Sequence, residues 1–544
     1  MPSRRFLIFT VFTSGMATLA IEVTASRLLQ TTFGTSNLIW ANIIGLMLVY
    51  LTVGYFIGGR LADRYPRTLP FYRLVAWGAF LAGLVPMIAD PVIKAASVAV
   101  YSFQAGAAVA AFASTLALFS IPVILLGCVS PFAIRLAVTD PQTAGSISGQ
   151  IYGISTLGSI VGTFLPSLLL FDLIGVRPTF LLFAGILLIV ALIGVATMSR
   201  RAVLPLIWMP IVLLILALLT FAGPIRAARP GTTLLYEKDS AYNFIQVVQL
   251  DGNAGIFSKG THWLLLNEGA GIHSAWNPEG DIYVQTQNGA APSTGTWDLF
   301  LAAPYFNPDY SADEVKSLCV VGLAGGTIST QYSDVFGEDV LIDGIEIDPA
   351  IVEAGKQYFG MTQPNLNIIV EDGRVGLEQS EKRYDVIGID AYRVPYVPWH
   401  LTTQEFFRIV RDHLTDRGVL AINVGRAVNT TAGSDDRRLV EAMTNTLLKV
   451  FPTVHTIDVP NSFNTILVAT MMPTTSQALL KNFDALPADS SPLLKTAMQV
   501  AINALKPTMR SDVLFTDDRA PVETIINSIL LDFILGGGTQ QFGG

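Results

Sequence analysis

The chain has 544 residues, of which 51% are hydrophobic and only 14% charged, and its mean hydropathy is +0.50. Soluble proteins carry about a quarter charged residues, so this composition argues against a wholly soluble chain. With 34 Lys and Arg against 42 Asp and Glu, the formal net charge is −8, which speaks against nucleic acid as a partner.

The charge deficit lies in residues 1–222, whereas 231–544 read as an ordinary globular chain long enough for its own core. Apolar runs at about 6–25, 38–58, 72–89, 108–129, 150–170, 178–198 and 204–222 are long enough to cross a bilayer. They predict a membrane domain of about seven helices over 1–222, with an eighth or re-entrant pass in 91–106 as an option. The first run is too long for a signal-peptide core and is read as a retained span. Gly45, Gly54 and Gly58, and then Gly153, Gly158 and Gly162, suit close helix packing in lipid. Arg4, Arg5, Arg60, Arg64, Arg67, Arg135, Arg200 and Arg201 fall in alternate loops, which places the N-terminus in the cytoplasm. Seven spans then put the rest of the chain outside the cell; an extra pass in 91–106 would return it to the cytoplasm, the side favoured here. Glu22 is the acidic residue well inside a predicted span, within reach of Arg27 for pairing.

Residues 223–230 (GPIRAARP) read as a linker, and 231–300 as a small β-domain with period-two alternation and Asp-Gly and Asn-Glu-Gly turns. Residues 295–306 predict a helix. Over 301–530, strands at 317–322, 340–346, 366–370, 384–390 and 417–424 alternate with helical stretches, the pattern of a parallel doubly wound sheet. A strand pair at 453–459 and 464–471 and a terminal helix preceded by Thr516–Glu523 (TDDRAPVE) follow, then a Gly-rich tail at 531–544.

The first of these parallel strands runs into Gly322, Gly325 and Gly326, and the second ends at Glu346 and Asp348. Glycines at a strand-to-helix turn let a ligand approach the backbone, and a carboxylate at the next strand tip can accept ribose hydroxyls, so the stretch reads as a nucleoside site. Asp348 before Pro349 reads as a helix cap. Asp372, before Gly373, is placed to accept from an adenine amino group, and Asp390 to orient or deprotonate a nucleophile. Five histidines without close pairing give no metal-site spacing.

The stretches EKDSAYNFIQVV, LLLNEGAGIHS, VVGLAGGTIS, GIEIDP, VEDGR and YDVIGIDAYRVPYVPWHLTTQEFFRIVRDHL resemble the spermidine synthase (aminopropyltransferase) family. The whole chain resembles bacterial proteins in which such a domain follows a multi-span membrane domain. The resemblance implies a Rossmann-like catalytic domain behind a small β-domain, a homodimer, decarboxylated S-adenosylmethionine as donor without a metal, and a polyamine-type amine as acceptor. It implies that Glu346 binds the ribose, Asp372 the adenine, that Asp390 is the catalytic base, and that Tyr242 lines the acceptor channel. Tyr392, Tyr396 and Trp399 would flank the amine. Three positions depart from the pattern. Gly325 stands where the family's loop carries an aspartate for the donor's ammonium, and Arg393 where it carries a second catalytic aspartate. In place of the family's glutamine region stand Glu268, His273 and Asp298, unassigned candidates of which His273 is the candidate substrate-side base. An open glycine loop with Arg393 would admit the carboxylate of intact S-adenosylmethionine, so methyl transfer is the second expectation. A non-catalytic, transport-coupled nucleoside binder is the third.

Overall fold

A computed structural model of the chain describes residues 4–33, 37–102, 107–267, 269, 271–280, 282, 295–392, 397–428 and 435–535. The chain divides into two compact units, Met1–Ala227 with Asp239–Ala241, and Ala228–Lys238 with Tyr242–Gly544.

Among the described residues, six helices of the first unit are long and apolar enough to cross a membrane: Arg4–Gln30, Trp40–Arg64, Thr68–Ile93, Ala110–Ala137, Pro141–Leu170 and Val176–Met198. The run expected as a seventh span is a helix pair, Arg200–Leu206 and Trp208–Thr220, bent by 42°. Pro205 and Pro210 flank the bend, and each removes a backbone donor there. Residues 91–102 continue the helix Thr68–Ser102, and 103–106 lie outside the described residues. Four of the six singled-out glycines sit at close helix crossings. A Cβ on Gly158 or Gly162 would strike the carbonyl oxygen of Phe12 or Met16, and one on Gly54 or Gly58 the backbone at Ile124 or Cys128. Gly45 and Gly153 face open space.

The second unit begins with a four-stranded sheet, β1 (Thr232–Asp239), β2 (Phe244–Leu250), β3 (His262–Leu266) and β4 (Ile272–Trp276), in sequential order. The stretch expected as an α-helix ahead of the large sheet is a 3-10 helix, Trp297–Phe306, buried along its whole length. With no polar face to offer water, it packs as a core rod rather than as an amphipathic surface helix.

The large sheet holds β5 (Ser317–Val321), β6 (Leu341–Glu346), β7 (Leu366–Val370), β8 (Tyr384–Ile389), β9 (Leu414–Gly425), β10 (Thr453–Asp458), β11 (Asn464–Thr470) and β12 (Leu505–Lys506), in the order β12-β10-β11-β9-β8-β5-β6-β7. Strands β5 to β9 pair in parallel, and β11 returns antiparallel to both β9 and β10. Strand β5 shows why its sequence is an unbroken apolar run. Leu318 and Val320 join one hydrophobic cluster, Cys319 and Val321 the other, so both faces are covered. Beyond β5 the chain adds strands first on one side, β6 and β7, then on the other, β8 and β9. The order reverses at β5, and the reversal opens a crevice over the carboxyl ends of β5, β6 and β8.

Candidate active site

The loop after β5 is built to approach other backbone closely. Gly322 has φ +88° and donates its N–H to the Ile345 carbonyl at 2.9 Å. A Cβ on it would meet Ala391 Cα at 2.7 Å, so the loop after β5 and the chain leaving β8 touch only because residue 322 is glycine. Gly326 then starts the helix α1 (Thr327–Phe336).

Glu346 closes β6 and turns into this loop. Its Oε2 accepts the Ala324 N–H at 2.9 Å and its Oε1 the Asp348 N–H at 3.1 Å. Burial pushes its carboxyl up to about 7, against the pull of these backbone donors. A third backbone donor, Ile347 N–H, also reaches the carboxylate, which leaves acceptor capacity for one further donor such as a ribose hydroxyl. Asp348 is fully buried and caps the helix α2 (Pro349–Tyr358) through Ala350 N–H, while its other oxygen accepts from Asn243 at 3.0 Å. That last bond ties the turn bearing Tyr242, itself 39% exposed, to the neighbourhood of Glu346.

Asp372 caps the helix α3 (Gly373–Glu378), its Oδ1 accepting from Arg374 N–H at 2.9 Å and Val375 N–H at 3.2 Å. Its Oδ2 pairs with His400 Nε2 at 3.0 Å. Gly373 leaves no room for a side chain, since a Cβ there would lie 2.5 Å from Val321 Cγ1.

Asp390 follows β8, with its N–H bonded to the Val321 carbonyl at 2.9 Å. Asn423, on the neighbouring β9, donates to its Oδ1 at 2.9 Å, and Trp297 donates a second bond. Asp390 is partly exposed, and the protein around it still pushes the carboxyl up to about 6. Tyr392 lies beside it, its hydroxyl against Gly425, where a Cβ would stand 3.2 Å away. Burial pushes the Tyr392 phenol upward. Trp399 is 43% exposed at the far end of the same loop. Tyr396 and Arg393 lie outside the described residues, as does Glu268.

The β4 strand reaches the crevice through its backbone and one hydroxyl. Ser274 Oγ accepts the Gly325 N–H at 2.8 Å, and Thr327 Oγ1 bonds both the N–H and the carbonyl of Ala275. This corrects the expectation of an open glycine loop. A Cβ on Gly325 would stand 2.9 Å from Ser274 Cβ and 3.0 Å from Phe359 Cγ, so the space beside it is filled. His273 is adjacent, with Nε2 buried and without a partner among the described residues, and burial lowers its imidazole to about 4. Asp298 is fully buried and bonded to Gly295 N–H and Gln331.

Glu346, Asp372 and Asp390 thus stand along one sheet edge around Gly322, with Tyr392 beside Asp390. Ser274 from β4, Trp297 from the buried rod, Asn423 from β9 and His400 support this edge and were not singled out from sequence. Asn423 had a legible signal, a lone amide within the apolar strand LAINVG.

Residues 321–475 match the spermine/spermidine synthase domain. The chain is 29% identical over 320 residues to a probable polyamine aminopropyl transferase of Bifidobacterium longum, covering 55% of this chain and 65% of that protein. It is 32% identical over 132 residues to a polyamine aminopropyltransferase of Vibrio vulnificus, 23% of this chain and 41% of that one. The chain therefore spans less than two thirds of the length of either relative. It is also 28% identical over 180 residues to the human eEF1A lysine and N-terminal methyltransferase, covering 31% of this chain and 24% of that protein. Among solved structures, a probable spermidine synthase from Corynebacterium glutamicum aligns at TM-score 0.36 and 15% identity, over 52% of this chain and 96% of that one. The residues that match the spermine/spermidine synthase domain, 321–475, lie within the Rossmann-like unit that follows the apolar helices in sequence.

Proposed function

We propose that the protein is a membrane-anchored aminopropyltransferase that moves an aminopropyl group from decarboxylated S-adenosylmethionine to a polyamine-type amine. The observation that carries this reading is Asp390. It is a carboxylate sheltered at the tip of β8, oriented by Asn423 and Trp297, and flanked by Tyr392. With its carboxyl at about 6 it is ionised at neutral pH and more basic than an ordinary aspartate, as a general base for an ammonium should be. The names of the Bifidobacterium and Vibrio relatives point the same way.

The residues fit the donor. Glu346 keeps acceptor capacity for one ribose hydroxyl beyond its three backbone donors, and Asp372 keeps a lone pair on Oδ2 for an adenine amino group. The donor supplies an electrophilic carbon on a sulfonium, with 5′-methylthioadenosine as the leaving group. Asp390 holds the acceptor amine and takes its proton as the N–C bond forms and the C–S bond breaks. Tyr242, Tyr392 and Trp399 line the amine's approach, and His273, neutral at physiological pH, stands beside it. Most of the acceleration comes from aligning nucleophile and leaving group. The apolar helices hold the enzyme in the cell membrane with its catalytic unit in the cytoplasm.

One observation favours a second reading, methyl transfer from S-adenosylmethionine. The donor loop has glycine at residue 325, so it offers no carboxylate there to grip the ammonium of the decarboxylated donor. The full-length protein, incubated with decarboxylated S-adenosylmethionine plus putrescine and separately with S-adenosylmethionine plus amines, should release 5′-methylthioadenosine in the first mixture. S-adenosylhomocysteine from the second mixture alone would establish methyl transfer instead.

A further inference from the structure

The segment TDDRAPVE, ahead of the last helix, has no part in the chemistry above, yet it is stitched to the donor side of the crevice. Arg374, the second residue of α3, grips Asp517 with both ends of its guanidinium, Nη1 to Oδ1 at 2.8 Å and Nη2 to Oδ2 at 2.7 Å. This fork is the geometry that fixes orientation as well as distance. Asp517 Oδ1 also accepts from Thr403 Oγ1 at 2.7 Å, and the Asp517 N–H donates to Glu405 Oε2 at 3.1 Å. Thr403 caps the helix Gln404–Asp412, whose first N–H goes to the Phe515 carbonyl at 2.9 Å. Phe515 itself is fully buried.

One side chain therefore holds two pieces of the site. Through Arg374 it fixes α3, whose cap is Asp372. Through Thr403 it fixes the 3-10 turn Trp399–Leu401, which carries His400. His400 closes the ring, its Nε2 on Asp372 and its carbonyl 3.4 Å from Arg374 Nη1. An ion pair that only decorated a surface would join two neighbouring elements. This one joins the C-terminal segment to both the donor-side helix and the acceptor-side loop.

We propose that Asp517 is a positioning residue that sets Asp372 and the turn Trp399–Leu401 in register for the donor nucleoside. The inference rests on the donor-site reading above. Arg374 and Asp517 are 22% and 38% exposed, so the pair contributes modestly to global stability. Its effect should appear in ligand affinity.

The test is calorimetric titration of full-length protein with 5′-methylthioadenosine and with S-adenosylhomocysteine, alongside melting temperature. Asp517→Asn keeps the shape and removes the charge; it should bind the nucleoside about 10-fold more weakly with little change in melting. Arg374→Lys keeps the charge but cannot bridge both oxygens, and should lose about 3-fold or more. In turnover, both variants should raise KM for the donor more than they lower kcat. Wild-type protein that binds neither nucleoside would remove the donor site and this inference with it. Wild-type protein that binds while Asp517→Asn binds equally well would leave the donor site intact and overturn the role of Asp517. Should Asp517→Asn fail to fold, undiminished binding by Arg374→Lys overturns it.

Discussion

Replacing Asp390 with asparagine should abolish turnover and stabilise the unliganded protein, and the second effect can be worked from the structure. The carboxyl rises from its ordinary 3.8 to about 6, chiefly through burial. A tenfold change in proton affinity corresponds to about 1.4 kcal/mol, so ionised Asp390 costs the fold about 3 kcal/mol at neutral pH and above. The sign follows from linkage. The folded state holds this proton more tightly than the unfolded chain, so the stabilisation is complete below about pH 4 and is lost as pH rises through about 6. Asparagine never pays that cost. It can keep the bond from Asn423 or the one from Trp297 on its single oxygen, forfeiting about 1 kcal/mol. The net gain is about 1–2 kcal/mol at about pH 8, a rise in Tm of about 2–4 °C. Full-length protein in lipid nanodiscs, melted while tryptophan fluorescence is followed at about pH 8 and about pH 4, reads this directly. The difference between variant and wild type should shrink or reverse in acid. A variant less stable than wild type at both values, by the same margin, would show that Asp390 is an ordinary structural carboxylate and would refute the reasoning.

Three further outcomes follow from the same geometry. Glu346, raised to about 7, accepts ribose hydroxyls more strongly when ionised, so affinity for 5′-methylthioadenosine should climb between about pH 6 and pH 8. Titration of Glu346→Gln should give a flat profile and binding about 10-fold weaker at the upper end. Ser274→Ala strips the Gly325 N–H of its acceptor, and KM for the donor should rise about 5-fold with kcat nearly unchanged. For the membrane half, a protease site placed in 223–230 should be protected in sealed right-side-out vesicles and cleaved in inverted ones, as a cytoplasmic catalytic unit requires.

The parallel sheet was legible because its strands are buried on both faces and read as apolar runs. The expected strands at 366–370 and 384–390 differ from Leu366–Val370 and Tyr384–Ile389 by at most one residue. The two-residue strand Leu505–Lys506 has no period to read and exists only through pairing with β10. The rod Trp297–Phe306 looked like an α-helix because composition alone does not separate a 3-10 turn from an α turn. In the site, carboxylates at strand tips announce themselves by position. Their supports do not. Trp297 reaches Asp390 from a different element, and Ser274 reaches Gly325 across 51 residues of chain. Gly325 shows the limit most sharply. From sequence its missing side chain reads as free space, whereas β4 and Phe359 occupy that space.

The central claim, that this crevice transfers an aminopropyl group, is tested most directly by following the donor's carbons. Full-length protein would be given decarboxylated S-adenosylmethionine carrying one isotope in the propyl chain and another in the S-methyl group, together with putrescine, and both products weighed by mass spectrometry. The propyl label should appear on the amine and the methyl label should stay with 5′-methylthioadenosine. Methyl label on the amine, with the propyl label left in the nucleoside product, would contradict the account.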